Sequence, residues 1–129
     1  MFDGLSSFHY QEAAGWLKDR LWRFKQKHLE VREMTCPVKT LDSFDLQPYF
    51  VKIDVQGHEL QVLQGGENTL KQHKPILLIE ALNQDIADYL SVFGYEFFYW
   101  EDEVLKPGFG ELNTFCITGN RRGNLPISD

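Results

Sequence analysis

A chain of 129 residues with 43 % hydrophobic and 14 % aromatic side chains carries enough apolar mass for one folded domain or part of a larger one, and wholesale disorder is excluded. Its formal net charge of −6 argues against nucleic acid as a main partner, because phosphate binding needs a basic surface. No apolar run approaches the about 20 residues that span a bilayer, the opening MFDGLSSFHY lacks a basic region followed by an apolar one, and Cys36 and Cys116 form no CxxC, which suits a cytoplasmic protein with free thiols rather than a zinc site.

From the amino end, residues 11–27 predict a helix. Ala14, Leu17, Leu21 and Phe24, followed by His28, recur at three- and four-residue steps. Lys18, Arg20, Arg23, Lys25 and Lys27 stand against Asp19 there, with Trp16 and Trp22 interleaved. A basic amphipathic helix of this kind can lie on a membrane or meet an acidic partner. The favoured reading is a solvated basic face on a helix packed against its own protein, so a membrane surface is not the expected partner.

Pro37 interrupts the chain. Residues 38–40 then read as a short extended run, and residues 41–45 as a brief helix capped by Asp42 or Ser43. FVKIDV, residues 50–55, predicts a strand. Residues 57–73 predict one helix with Leu60, Leu63 and Leu70 on a single face, in which the Gly65–Gly66 pair marks local weakness or close packing. PILLIEAL, residues 75–82, is a nearly continuous apolar run, as expected of a strand buried on both faces. Residues 83–93 predict a helix with Ile86, Leu90 and Phe93 inward, stopped by Gly94. Residues 95–100 are aromatic and extended, Pro107 and Gly108 make a turn, and NTFCIT, residues 113–118, is a last strand. The tail RRGNLPISD reads as loop. Strands alternating with helices imply parallel βαβ units, and the last two strands, joined without a helix, are expected to pair antiparallel.

In an open α/β sheet, ligands sit beyond the carboxyl ends of the parallel strands. Asp54 falls at the end of the first clear strand and Glu80 at the equivalent end of the next, so two carboxylates are expected to face one crevice, able to bind a cation, accept hydrogen bonds or act as a base. Glu80 stands in an apolar run, where an unpaired charge is costly, so it requires a partner or an open crevice. Gly57 lets the chain turn sharply, and His58 and Glu59 fall in the first helical turn near its positive end. The plainer alternative is a helix cap at Asp54, a dipole-favouring acid at Glu59 and an idle His58.

VKTLDSF, then FVKIDVQGHELQVLQGGENTL, then KPILLIEAL resembles the FkbM family of S-adenosylmethionine-dependent methyltransferases. The family pattern runs T-L-D-S, then K-I-D-V-E-G-x-E, then V-L-x-G-A, then K-P-x-L-L-x-E. The matching positions are Thr40 to Ser43, Lys52 to Val55, Gly57, Glu59, Val62 and Leu63, Gly65, Lys74 and Pro75, and Glu80. GLSSF, residues 4–8, also resembles the segment that precedes these blocks. Gln56 replaces the usual Glu, and His58 stands where a small residue is usual.

The resemblance implies a Rossmann-like methyltransferase sheet that transfers a methyl group from S-adenosylmethionine to an oxygen of a small-molecule acceptor, a sugar or secondary-metabolite hydroxyl. It implies Asp54, Val55 and Gln56 on the cofactor, Asp54, His58 and Glu59 as candidate catalytic groups, and Glu80 against the acceptor, with no metal assigned. Such methyltransferases hold the cofactor with a glycine-rich turn after the first strand, and no such turn is present here. The chain therefore resembles the carboxyl-terminal part of the fold, one partial domain with a helical segment at 1–33 and an α/β core at 38–118. By that likeness FVKIDV has an open edge, expected to be covered by residues 1–33 or to pair with a second copy. The contrasting expectation is a catalytically inactive fragment or a binding module that uses the basic helix of residues 11–27.

Overall fold

The computed structural model describes residues 34–123 and 125–128. The chain divides into two units, Met1–Val38 and Lys39–Asp129, and the account below concerns the second. The predicted helix of residues 11–27 lies outside the described residues.

Five strands form one mixed sheet: β1 (Phe50–Ile53), β2 (Ile76–Glu80), β3 (Tyr95–Glu101), β4 (Val104–Pro107) and β5 (Asn113–Thr118), in the spatial order β1-β2-β5-β3-β4. Three helices accompany them: α1 (Glu59–Gln64), α2 (Glu67–His73) and α3 (Gln84–Ser91). Strands β1 and β2 pair parallel, while β5 runs antiparallel between β2 and β3. Strands β2 and β3 thus run the same way, with β5 inserted between them. The helix-free connection before β5 permits this reversal, because an antiparallel neighbour needs no crossover.

The expected strands at residues 50–55, 75–82, 95–100 and 113–118 are all present, within the usual end fraying. Strand β4 was not expected: Val104 to Pro107 form a hairpin with β3, and Pro107 ends an edge strand, where a missing N–H costs no ladder bond. The tail also contributes. A short 3-10 turn spans Gly119–Arg121, and Leu125 and Ile127 pack on one face of the sheet.

The sheet has two apolar faces. On one, Ile53, Leu77, Ile79, Tyr95 and Cys116 meet Leu63, Leu70, Ile86 and Leu90 of the three helices. Each fully buried Leu or Ile contributes about 1.5–3 kcal/mol. On the other, Ile76, Phe98, Leu105 and Ile117 form a smaller cluster with Phe115, Leu125 and Ile127.

The single helix expected over 57–73 is two helices broken at Gly65 and Gly66. A Cβ on Gly66 would fall 2.8 Å from Leu41 Cδ2 and 3.2 Å from Leu41 Cβ, so the glycine is there for close approach. The segment that presses on it is the 3-10 turn Leu41–Phe44. Asp42 does not cap that turn, whose N-cap is Thr40 with no side-chain bond. Instead the Asp42 carboxylate accepts from Asn68 N at 3.0 Å, Thr69 N at 2.9 Å and Thr69 Oγ1 at 2.7 Å. It satisfies the orphan amides at the start of α2, which is the physical role of a cap supplied from far along the chain. Asn83 caps α3 from within the helix's own entry, accepting from Ile86 N at 3.0 Å.

Candidate functional site

The register of β1 and β2 sets Ile53 opposite Ile79. The next residues, Asp54 and Glu80, therefore leave the sheet side by side at the carboxyl ends of two parallel strands. The backbone turns hard after each: Gln56 has φ 52°, Gly57 φ 94° and Ala81 φ 50°. Left-handed geometry at Gln and Ala is a local cost, and here it stands immediately beyond the two acids.

Gln56 joins them. Its Nε2 donates to Asp54 Oδ1 at 2.9 Å and to Glu80 Oε2 at 3.2 Å. Lys52 Nζ donates to the other Asp54 oxygen at 2.8 Å. The hydrogen bond between the carboxyls, reinforced by Lys52 and Gln56, holds Asp54 down to about 2. The same bond to Asp54, with burial, pushes Glu80 above its ordinary range. Two acids this close do not ionise together readily, so the pair carries one proton over a wider pH span than free carboxyls do. Of the two, Asp54 ionises first as pH rises and Glu80 second. The expectation that Glu80 has a partner is met by Gln56 and Asp54.

The turn between β1 and α1 is fastened from below. Glu59, the first residue of α1, is only 6 % exposed, and its Oε1 accepts from Val55 N and Gly57 N, both at 3.2 Å. Its carboxylate satisfies two amides that would otherwise point into the turn unpaired. Val55 is half-buried against the helix-side core, and half-buried His58 occupies the N-cap position of α1. The structure thus brings Asp54, Gln56 and Glu80 into one hydrogen-bonded cluster and gives the Glu59 carboxylate to the backbone of the turn.

Two neighbours were not singled out from the sequence. Lys52 is two residues before Asp54, hence on the same strand face, and that spacing was a usable signal. Asn113 stands opposite Glu80 across β2 and β5, a long-range register that no local pattern announces. Among the described residues, no group of three or more His, Cys, Asp or Glu is placed to hold a metal ion, and no helix is long and apolar enough to cross a membrane.

In open α/β sheets ligands bind beyond the carboxyl ends of the parallel strands, and that is where this mixed α/β sheet places its paired acids. The chain matches the methyltransferase FkbM domain over residues 5–97, and it belongs to that family. Searches of curated proteins and of solved structures return no match.

Proposed function

We propose that this chain is the carboxyl-terminal part of an S-adenosylmethionine-dependent O-methyltransferase of the cytoplasm, acting on a hydroxyl of a sugar or secondary metabolite. The observation that carries the reading is the Gln56-bridged Asp54–Glu80 pair at the carboxyl ends of β1 and β2. Membership of the FkbM family supports methyl transfer as the reaction class.

The residues suit one end of the cofactor. An ionised Asp54 and the Gln56 carboxamide match the ammonium and carboxylate of a methionine moiety, with Val55 beside them. Two amides of the turn after β1, Val55 N and Gly57 N, already donate to Glu59 and are not offered to the adenosine. In this reading the adenosine is held by the amino-terminal half of the fold.

When bound, the cofactor supplies a methyl group on a positively charged sulfur, open to in-line attack by an oxygen. The chain's own residues would orient the acceptor and take its proton. Asp54 is too weakly basic for the second task. Glu80, with its higher proton affinity, accepts the hydroxyl proton once it is itself ionised, so turnover should rise with pH through a value above the ordinary glutamate range. His58 would border the acceptor, and Glu59 would act as a positioning residue through the turn.

Calorimetric titration of this chain with S-adenosylmethionine and S-adenosylhomocysteine tests the reading. Micromolar binding that Asp54→Asn weakens about ten-fold or more is the expected result for an assembled site. Binding unaffected by Asp54→Asn would remove Asp54 from the cofactor. Absence of binding, restored when an amino-terminal half from a family member is added, would support the fragment reading; absence in both would sink the methyltransferase assignment.

The edge of the sheet adds a second proposal. Strand β1 has one sheet partner, β2, among the described residues, and a second copy of the chain pairs along its open side.

A further inference from the structure

The loop between β4 and β5 meets the sheet face opposite the three helices at an open trough. Side chains alternate between faces along a strand, so Leu78, Phe115 and Trp100 stand on that face, and the register puts Leu78 beside Phe115. The loop, residues 108–112, is pinned at three points. Gly108 N donates to Phe97 O at 3.0 Å, Gly110 N donates to Thr114 Oγ1 at 3.0 Å, and Leu112 O accepts from Ala81 N at 2.8 Å. A Cβ on Gly110 would fall 2.0 Å from Asn113 O, so the chain is wound too tightly there for any other residue. Leu78, Trp100 and Phe115 of the sheet and Phe109 and Leu112 of the loop line the trough, together with Glu101 and Glu111.

Its apolar surface is large and already in place. Trp100 is 54 % exposed, Phe109 44 % and Leu112 58 %. Large apolar side chains left facing water side by side mark a place of contact with another molecule. Phe109 is held edge-on against Phe97, with ring centroids 5.4 Å apart, so little ordering remains to be done on binding. The trough holds about 1070 Å³, above the roughly 300–1,000 Å³ of ordinary small-molecule sites, and an open trough of that size accepts a length of polypeptide.

Charge narrows the occupant. Glu101 and Glu111 line the trough, and the turn between β3 and β4 adds exposed Asp102 and Glu103. Among the described residues, the ion pairs of these four acids are those of Glu101 and Asp102 with Lys106. Negative charge is therefore in excess, so an anionic partner is repelled and a cationic one drawn in. A Lys or Arg of that partner also finds the face of the Trp100 indole.

We propose that the trough docks a basic amphipathic segment of a partner protein, with its apolar side chains on Trp100, Phe109 and Leu112 and its Lys or Arg toward Glu111 and the β3–β4 turn. The surface borders the carboxyl pair, through the bond between Ala81 and Leu112, without containing it. The inference therefore stands apart from methyl transfer.

The test is nitrogen-15 NMR and calorimetry on the full chain with three probes. These are a leucine–lysine peptide with leucine at three- and four-residue steps, its leucine–glutamate counterpart, and an oligolysine of the same charge as the first. The leucine–lysine peptide is expected to move the Trp100 indole and Gly110 amide signals and to bind about ten-fold or more tightly than oligolysine, with no binding of the glutamate peptide. Trp100→Ser and Glu111→Lys should each weaken it by about five-fold or more, and Trp100→Phe should retain most of the affinity, with circular dichroism unchanged. Asp88→Lys, on α3, should have little effect. Glu111→Lys decides the matter if a Trp100 variant loses structure. Signals that move over the whole acidic surface, equal affinity for oligolysine or the glutamate peptide, or equal losses from Asp88→Lys and Glu111→Lys would each overturn the proposal. So would a dimer in sedimentation that Trp100→Ser dissolves, since the face would then be an interface between copies.

Discussion

Asp54 and Glu80 are shifted in opposite directions by one another, and the two shifts act on stability with opposite signs. Asp54 is depressed from 3.8 to about 2, so its contribution is present above its unfolded value and is lost as pH falls toward 2. Glu80 is raised above 4.5 by Asp54 and by burial. Its contribution is present below 4.5 and is lost as pH rises through its folded value. At neutral pH Glu80 therefore opposes folding slightly. Glu80→Gln removes the charge and is expected to raise the melting temperature at pH 7 by about 1–2 °C, a small gain because the pair is solvent-screened. Carboxyl-detected NMR should find Glu80 titrating above ordinary glutamates, and Asp54→Asn should return it toward the usual range; an unshifted Glu80 would sink the coupling of the two acids. Asp42 is a second residue whose charge serves structure. Burial pushes its carboxyl up, but the hydrogen bonds from Thr69 and Asn68 outweigh that and lower it. Asp42→Ala should cost about 1 kcal/mol in urea denaturation at pH 7, and less as pH falls far enough to protonate the parent carboxyl.

At the level of elements, the break between α1 and α2 depends on a contact from outside both helices. Leu41 sits where a Gly66 side chain would be, with the nearest approach 2.8 Å, whereas a Cβ on Gly65 meets Thr40 at 3.4 Å, an ordinary contact. Gly66→Ala should therefore destabilise by about 1–2 kcal/mol, and Gly65→Ala by less. Paired thermal melts decide it: equal effects would mean that Leu41 yields freely. The Gly65–Gly66 pair was readable as weakness or close packing, and it is both. The dual role followed from Leu41, whose proximity is tertiary. Strand β4 shows the same limit. Val104 to Pro107 is short and ends in proline, so its local pattern was that of a turn, and pairing with β3 made it a strand.

For the whole molecule, the consequential feature is the edge at β1. Tyr49 O accepts from Ile76 N of the β2 side, and successive residues of a parallel strand bond to opposite sides. The N–H and C=O of Phe50 consequently point away from β2, to a side where no strand pairs among the described residues. Phe50 is 47 % exposed, and proline is tolerated at the first residue of an edge strand. If a second copy pairs there, sedimentation should show a dimer at micromolar concentration that Phe50→Pro returns to monomer without loss of structure. A parent chain that is monomeric at all concentrations would refute edge pairing. Trp100 substitutions should leave this dimer intact, because they lie on a face and not on the edge.

The sequence by itself determined four of the five strands and the stretches that form α1, α2 and α3, because burial on one or both faces writes periodicity into local composition, as in PILLIEAL and NTFCIT. It also determined that Asp54 and Glu80 end neighbouring strands, since a strand, a helical stretch and another strand in succession leave little choice of pairing. Tertiary structure alone decided what those acids touch. The Gln56 bridge depends on a left-handed turn. The Glu80–Asn113 pairing depends on β5 entering between β2 and β3, and the Asp42 cap spans two elements far apart in the chain. These are contacts between segments that carry no mark of one another, so their energies appear only once the register is fixed.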